Sequence, residues 1–392
     1  MQSKKLKGYI RKTVKLRKYN NIVESLYLSK LIRKLFGMSV LIMKTAPDGR
    51  IVTEFTWLGF IFFVTWHFLY FYCAYKAHVE DQAILQSIYN TKMQRFGDDF
   101  ERVISLIYVL IAMWKLPFSL SGDSRLMQII VDVDKQLEDL GVTVDYNQNA
   151  FSSFLISLGH VGVYLTRMLC IWFTLTNLNV PFPAERMFQV VFSDAIALLI
   201  TSQYCYSLIV IKCRFKFINK ILNDIKSRDS WEHKIFVRSR MTVNTQRAGD
   251  PKDKYICEKI KACARVYGML CSSADVVNKM FSLGLIMNMF VSIVFIILHS
   301  FYFLEATAAG LFHDIPRYIY FLMYVFWQIG YAIGIMYLIV FFCERTMREV
   351  RLSMQLLHQT PVFTACGIYK LDYPLFQEVS TQHKHRSAGR EL

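Results

Sequence analysis

Six stretches of this 392-residue chain are long and apolar enough to span a bilayer, and they constrain its fold more than any other feature. A hydrocarbon core of roughly 30 Å takes about 20 helical residues to cross. The stretches run over about 55–75 (FTWLGFIFFVTWHFLYFYCAY), 103–120 (VISLIYVLIAMWKLPFSL), 151–178, 187–213, 281–304 and 318–343. Strands of a membrane barrel would appear instead as alternating segments of about ten residues, so each stretch reads as a helix. The expected fold class is an all-α membrane protein, a multi-pass helical bundle with six complete spans. The composition agrees, at 54% hydrophobic, 15% aromatic and only 19% charged. The second stretch is the weakest, with Lys115 and Pro117 near one end, where a lysine can snorkel and a proline can be tolerated.

Orientation follows from the basic residues. The first 50 residues are strongly basic (KKLKGYIRKTVKLRK) and carry no cleavable apolar core, so no secretory signal is expected and the first span directs insertion. Lysine and arginine concentrate there and again over 212–280, while the connections 179–186 and 305–317 carry almost none. By the positive-inside rule the N-terminus is cytoplasmic, with 121–150, 212–280 and the segment after 343 on the same side. The net charge of +16 is then a topology signal and not a nucleic-acid one. Cys257, Cys263 and Cys271 fall on the cytoplasmic side at spacings that match no zinc site, and only Cys73 lies near an outer end. No extracellular disulfide is available on this reading, which counts against a G-protein-coupled receptor.

The expected organisation is a basic cytoplasmic segment (1–54), four spans (55–213), a cytoplasmic helical connection (214–280), two further spans (281–343) and a C-terminal region (344–392). Ile218, Ile221, Leu222 and Ile225 continue the fourth span as an amphipathic helix, until Gly249 and Pro251 break the pattern. Beyond the break, Ile256, Ile260, Cys263, Tyr267, Leu270, Ala274 and Val277 alternate gaps of four and three, and Met347, Val350, Met354 and Leu357 make a similar short seam. Such stripes either pack within one subunit or build a platform where subunits meet.

The sequence carries no Walker loop, no H-E-x-x-H, no G-x-S-x-G and no C-x-x-C, so an enzyme is not expected, nor a metal or cofactor. Polar residues inside the spans are more informative, because each is expensive in hydrocarbon. Arg167 and Asp194 stand at matching depths of the third and fourth spans, as an ion pair that fixes packing or as part of a ligand cavity. The outer halves also offer Trp172, His299, Phe303, Tyr320, Tyr324, Trp327 and Gln328 as pocket candidates, the last four on one face of the sixth span.

The stretch FFCERTMREVRLSMQLLHQTPVFTACGIYKLDYPLF (341–376) resembles the C-terminal signature region of insect gustatory receptors. In that family an amphipathic helix is followed by a small-residue turn, then Leu-Asp, then the last helix; Ala365, Gly367, Tyr369, Leu371 and Asp372 are the matching residues. The resemblance implies a seven-helix taste receptor of the plasma membrane. It would be a non-selective cation channel opened by a small-molecule tastant. Such channels are homo- or hetero-tetramers of gustatory receptor subunits around the seventh helices, with the seams at 256–277 and 347–357 as the platform between them. The family's Thr-Tyr, apolar run, Gln-Phe motif is missing, and the chain reads QEVSTQHKHRSAGREL where it should stand, so the seventh helix is expected to be interrupted. A non-conducting or regulatory subunit is the alternative, and an odorant receptor the nearest sister family.

Overall fold

In the computed structural model the described residues are 19–46, 50–82, 92–118, 120–177, 183–239, 251–310, 313–354, 364–365 and 369–370. The chain starts with a small cap. The Asn21 side chain accepts from the Glu24 amide at 2.8 Å, and the Glu24 carboxylate reaches back to the Asn20 amide at 3.1 Å. This reciprocal capping starts α1 (Ile22–Ser25), which is followed directly by α2 (Tyr27–Leu35). Gly37 ends α2 at φ +69°, and a Cβ there would meet the Phe63 backbone at 2.9 Å, so a glycine is required twice over. Two antiparallel strands follow, β1 (Leu41–Thr45) and β2 (Ile51–Phe55), with Leu41 opposite Phe55.

The long helices are α3 (Trp57–Val79), α4 (Lys92–Phe118), α5 (Leu120–Asp139), α6 (Tyr146–Asn177), α7 (Ala184–Ser239), α8 (Pro251–Ala308) and α9 (Ile315–Met354). Five regions among the described residues are long and apolar enough to cross a membrane: Trp57–Val79, Tyr146–Asn177, Ala184–Ile225, Tyr255–Ala308 and Ile315–Ser353. The stretch 103–120 is not among them. It falls in α4, whose first half carries Arg95, Asp98, Asp99, Glu101 and Arg102, and the chain passes into α5 after Phe118. Large apolar side chains lie open on the outside, among them Trp57, Phe68, Tyr75, Leu169, Ile297 and Phe326, as a lipid-facing surface requires.

α7 is the central post, packed against α3, α6, α8 and α9. Its Ile218, Ile221 and Leu222 are buried well past the apolar window, so the expected helical continuation is seen as one 56-residue helix. On α8 the seam is buried at Cys263, Tyr267, Leu270, Ala274 and Val277, where Tyr267 meets Phe215 of α7 edge-on at 5.6 Å. Ile260 stays exposed and Ile256 half-buried; Val350 is buried and Met347 partly so, while the side chains of Met354 and Leu357 lie outside the described residues. At the end of the chain Thr364–Ala365 pairs antiparallel with Tyr369–Lys370. The described residues of the family motif, Ala365 and Tyr369, are thus extended and not the start of a helix; Gly367, Leu371 and Asp372 lie outside the described residues.

The cap closes one end of the bundle. Trp66 Nε1 donates to the Leu35 carbonyl at 2.5 Å, Gln203 Nε2 to Ser29 Oγ at 2.5 Å, and Arg33 pairs with Asp123 at 2.8 Å. Lys30 is tucked beneath it with no hydrogen-bond partner for Nζ among the described residues. Burial, helped by the neighbouring Arg33 and opposed by Asp123, pushes the Lys30 pKa down to about 8.

Candidate functional site

Polar groups gather in the half of the bundle away from the cap. At that end Lys76 of α3 pairs with Glu185 of α7, and Gln82 joins them at 2.9 Å to Glu185. Arg102 of α4 donates to the Gln82 carbonyl at 2.6 Å and pairs with Asp81 and Asp99 at 3.2 and 3.0 Å. Next to these, Arg186 donates to Gln189 Oε1 at 2.8 Å and lies 3.6 Å from Glu101, with both charges buried. Tyr302 of α8 presses its hydroxyl against Gly97, where an added Cβ would fall 1.3 Å from the oxygen. The close approach of α8 and α4 therefore depends on that glycine.

Arg167 of α6 and Asp194 of α7 meet at the next level, with Nε 2.5 Å from Oδ2. This is the pair's one close contact, and Nη1 and Nη2 of the guanidinium lack a hydrogen-bond partner among the described residues. The guanidinium instead lies over the Tyr331 ring at 4.3 Å, a cation–π contact, while the Tyr331 hydroxyl donates to the Asp194 carbonyl at 3.0 Å. Asp194 faces a small recess between α4, α7, α8 and α9, lined also by Ser105, Tyr108, Asn288, Ser292 and Tyr331. Asn288 is anchored by its amide nitrogen to Thr201 Oγ1 at 3.1 Å, and its Oδ1 and the Tyr108 hydroxyl have no hydrogen-bond partner among the described residues, while Asp194 Oδ2 is engaged by Arg167. A buried group without a hydrogen bond costs about 1–3 kcal/mol, so two beside one recess mark it as the polar centre of this half of the bundle.

The pocket candidates divide. His299 and Tyr324 are buried and meet at 6.2 Å between ring centroids. His299 Nδ1 lies 2.8 Å from the Phe295 carbonyl, which can only accept, so Nδ1 carries the proton and Nε2 is left without a partner. Gln328 is buried one turn from Tyr324, and Trp327 is half-buried with an unpaired Nε1. Phe303 packs on Phe326 and Tyr320 on Phe173 at the periphery, and Trp172 is 53% exposed on the lipid-facing side. Of these residues and the ion pair, only Asp194 lines the recess. Sequence reasoning missed Glu101, Arg102 and Arg186 because they stand just outside the apolar windows. It also passed over Tyr108 and Asn288, although the same intramembrane-polar rule that marks Arg167 marks Asn288.

A second Arg–Asp pair lies towards the cap. Arg214 of α7 grips Asp134 of α5 through Nε–Oδ1 at 3.0 Å and Nη2–Oδ2 at 2.9 Å; Tyr146 donates to Asp134 at 3.1 Å, and Arg214 Nη1 to the Val210 carbonyl at 3.2 Å.

A bundle of long apolar helices with a lipid-facing surface and a buried polar recess defines a multi-pass helical membrane protein. Residues 34–351 match the profile of the 7tm chemosensory receptor family, and the chain belongs to that family. It is 26% identical over 359 residues, 79% of this chain and 78% of the relative, to a Drosophila melanogaster protein that carries the provisional name gustatory receptor 28a. Receptors of this kind bind small molecules in a membrane and are not enzymes.

Proposed function

We propose that the chain is a subunit of a tastant-gated, non-selective cation channel in the plasma membrane, with a cytoplasmic N-terminus and a homo- or hetero-tetrameric assembly. The observation that carries the reading is the buried polar recess bounded by Asp194, Tyr108 and Asn288, where the Tyr108 hydroxyl and Asn288 Oδ1 have no hydrogen-bond partner among the described residues. His299, Tyr324, Trp327 and Gln328 do not line it and are the residues past which a ligand from the outer side would enter on this reading. Binding there shifts the helices that wall the recess towards an open arrangement. The topology rests on the basic N-terminal segment and 212–280 connection, read by the positive-inside rule. The exposed Ile260 and half-buried Ile256, on the extension of α8, suit a contact between subunits.

The test is expression in cells without chemoreceptors, with an N-terminal epitope and a panel of sugars, bitter compounds and amines. The epitope is expected to be reachable only after permeabilisation. One class is expected to evoke calcium entry, with Asp194→Asn raising its half-maximal concentration at least about tenfold, the equivalent of about 1.4 kcal/mol. Surface-expressed protein that stays silent to the whole panel, alone and with related full-length subunits, would remove the reading.

A second reading, a subunit that joins a complex without lining its pore, draws on the extended pairing of Thr364–Ala365 with Tyr369–Lys370 where the resemblance puts the approach to a pore helix. Co-expression with a conducting relative would then reduce its current.

A further inference from the structure

We infer that α7 and α9, where their apolar windows end, form a binding site for one phospholipid whose headgroup carries several negative charges. Lys212, Lys216 and Lys220 stand at i, i+4 and i+8 along one row of α7. α9 runs beside this part of α7, held by Thr346 Oγ1 donating to the Leu208 carbonyl at 3.4 Å and by Asn219 Nδ2 donating to the Glu349 carbonyl at 2.8 Å. That register brings Arg345 to the level of Lys212, whose charged neighbours are Arg345, Glu349 and Lys216.

The protein does not balance this cluster. Among the described residues none of the four basic side chains makes an ion pair, whereas the adjacent arginines do: Arg214 pairs with Asp134 at 2.9 Å and Arg348 with Glu344 at 3.4 Å. Glu349 is the acid facing Lys212, and its carboxylate is approached by Asn219 Nδ2 at 3.4 Å. Lys216, Lys220 and Arg345 are exposed, while Lys212 is half-buried. The positive-inside rule accounts for exposed lysines at a membrane edge, but not for a half-buried lysine that faces two further cations. Like charges gathered at one spot repel, and an anion between them removes the repulsion.

Depth and apolar surroundings define that anion as part of a lipid. The apolar windows end at 213 and 343, so Lys212 and Arg345 stand where hydrocarbon gives way to headgroups; Lys216 and Lys220 lie about 6 and 12 Å further along α7. On the hydrocarbon side, Leu338 and Phe341 share the face of α9 that carries Arg345, with Leu338 exposed, and Ile209 stands one turn before Lys212 on α7. The Arg345 guanidinium lies 5.5 Å from the Phe341 ring centroid, so the basic and apolar surfaces are continuous. Acyl chains match the apolar side chains, and phosphate oxygens, which accept, match ammonium and guanidinium groups, which only donate. Four cations suit a headgroup with several negative charges, such as a phosphorylated inositol; a singly charged headgroup would leave most of them unmatched.

A lipid held there bridges α7 and α9, two of the helices that wall the Asp194 recess. Its placement in the cytoplasmic leaflet rests on the orientation proposed above; the site itself does not. None of its residues lines the recess, so loss of the tastant reading leaves it standing.

The experiment titrates the full-length protein in detergent micelles with a short-chain phosphatidylinositol bisphosphate and reads the lipid-bound mass by native mass spectrometry. The wild type is expected to take up one lipid saturably, and phosphatidylserine of the same chain length at least about tenfold more weakly. Lys216→Gln with Arg345→Gln, both exposed side chains, is expected to weaken the bisphosphate lipid at least about tenfold. Lys261→Gln with Arg265→Gln removes the same charge from exposed positions of α8 and is expected to change nothing. Free inositol trisphosphate at equal concentration is expected not to displace the lipid. Equal loss in the two doubles, no loss in the first, or displacement by the free headgroup would overturn the inference. So would equal binding of phosphatidylserine, a comparison that uses the wild-type protein alone and decides the matter whether or not the variants fold.

Discussion

Two buried arginine–aspartate pairs use α7 in opposite ways. Arg214 and Asp134 meet through two parallel bonds, and Tyr146 and the Val210 carbonyl take up further capacity. Arg167 and Asp194 touch at one atom pair and leave Nη1 and Nη2 without a hydrogen bond among the described residues, over a tyrosine ring and beside a recess. A buried ion pair repays its desolvation only when geometry and hydrogen bonds are good. The saturated pair therefore ties the α5 helix to the central post as a strut. The unsaturated pair is retained at a cost in stability where an occupant can complete it, which is the pattern of a functional site.

The largest effect expected is at the strut. Asp134→Asn leaves a fully buried Arg214 charge without a counter-ion, a change of about 3–5 kcal/mol, and should remove most protein from the cell surface as measured by biotinylation. Asp194→Asn should lose less, because Glu101 and the Tyr331 ring still surround Arg167. If the two residues depend on each other, the exchange Arg167→Asp with Asp194→Arg should recover expression that either single reversal loses.

A smaller effect is expected at Tyr146→Phe, which removes one bond to Asp134 and should lower the unfolding midpoint by an amount equivalent to about 1 kcal/mol. Lys30 sharpens the contrast from the opposite side. Its folded pKa is lowered from 10.5 to about 8, so between those values the unfolded chain binds more protons and stability rises with pH. Lys30→Met should therefore raise the unfolding midpoint at pH 7, with the difference shrinking as the pH approaches 10; a constant difference would show that the charge is not the cause.

Much of this was legible in the sequence, but unevenly. The apolar windows at 55–75, 151–178, 187–213, 281–304 and 318–343 locate helices because hydrocarbon allows little else, and the Ile218–Ile225 periodicity carries α7 beyond its window. Arg167 and Asp194 were visible because a charge inside a span has few explanations. Asp134 and Arg214 were not, since Asp134 lies in the 121–150 connection and Arg214 just past the 187–213 window, where charges are ordinary until packing buries them. The same holds for Glu101 and Arg186 at the opposite end. The aromatic candidates show the converse limit: helical spacing places Tyr320 and Tyr324 on one face, but only packing shows that Tyr324 is interior and that Trp172 faces outward.

The most direct measurement compares two charge-free doubles, Arg214→Gln with Asp134→Asn and Arg167→Gln with Asp194→Asn, because neither leaves an uncompensated charge. Both are read as tastant-evoked current per receptor at the surface. The strut double, whose amides can keep hydrogen bonds between α5 and α7, is expected to respond as the wild type does. The Arg167–Asp194 double is expected to reach the surface and to lose at least about tenfold in sensitivity. Unchanged sensitivity in that second double would contradict the assignment of the unsaturated pair to ligand recognition.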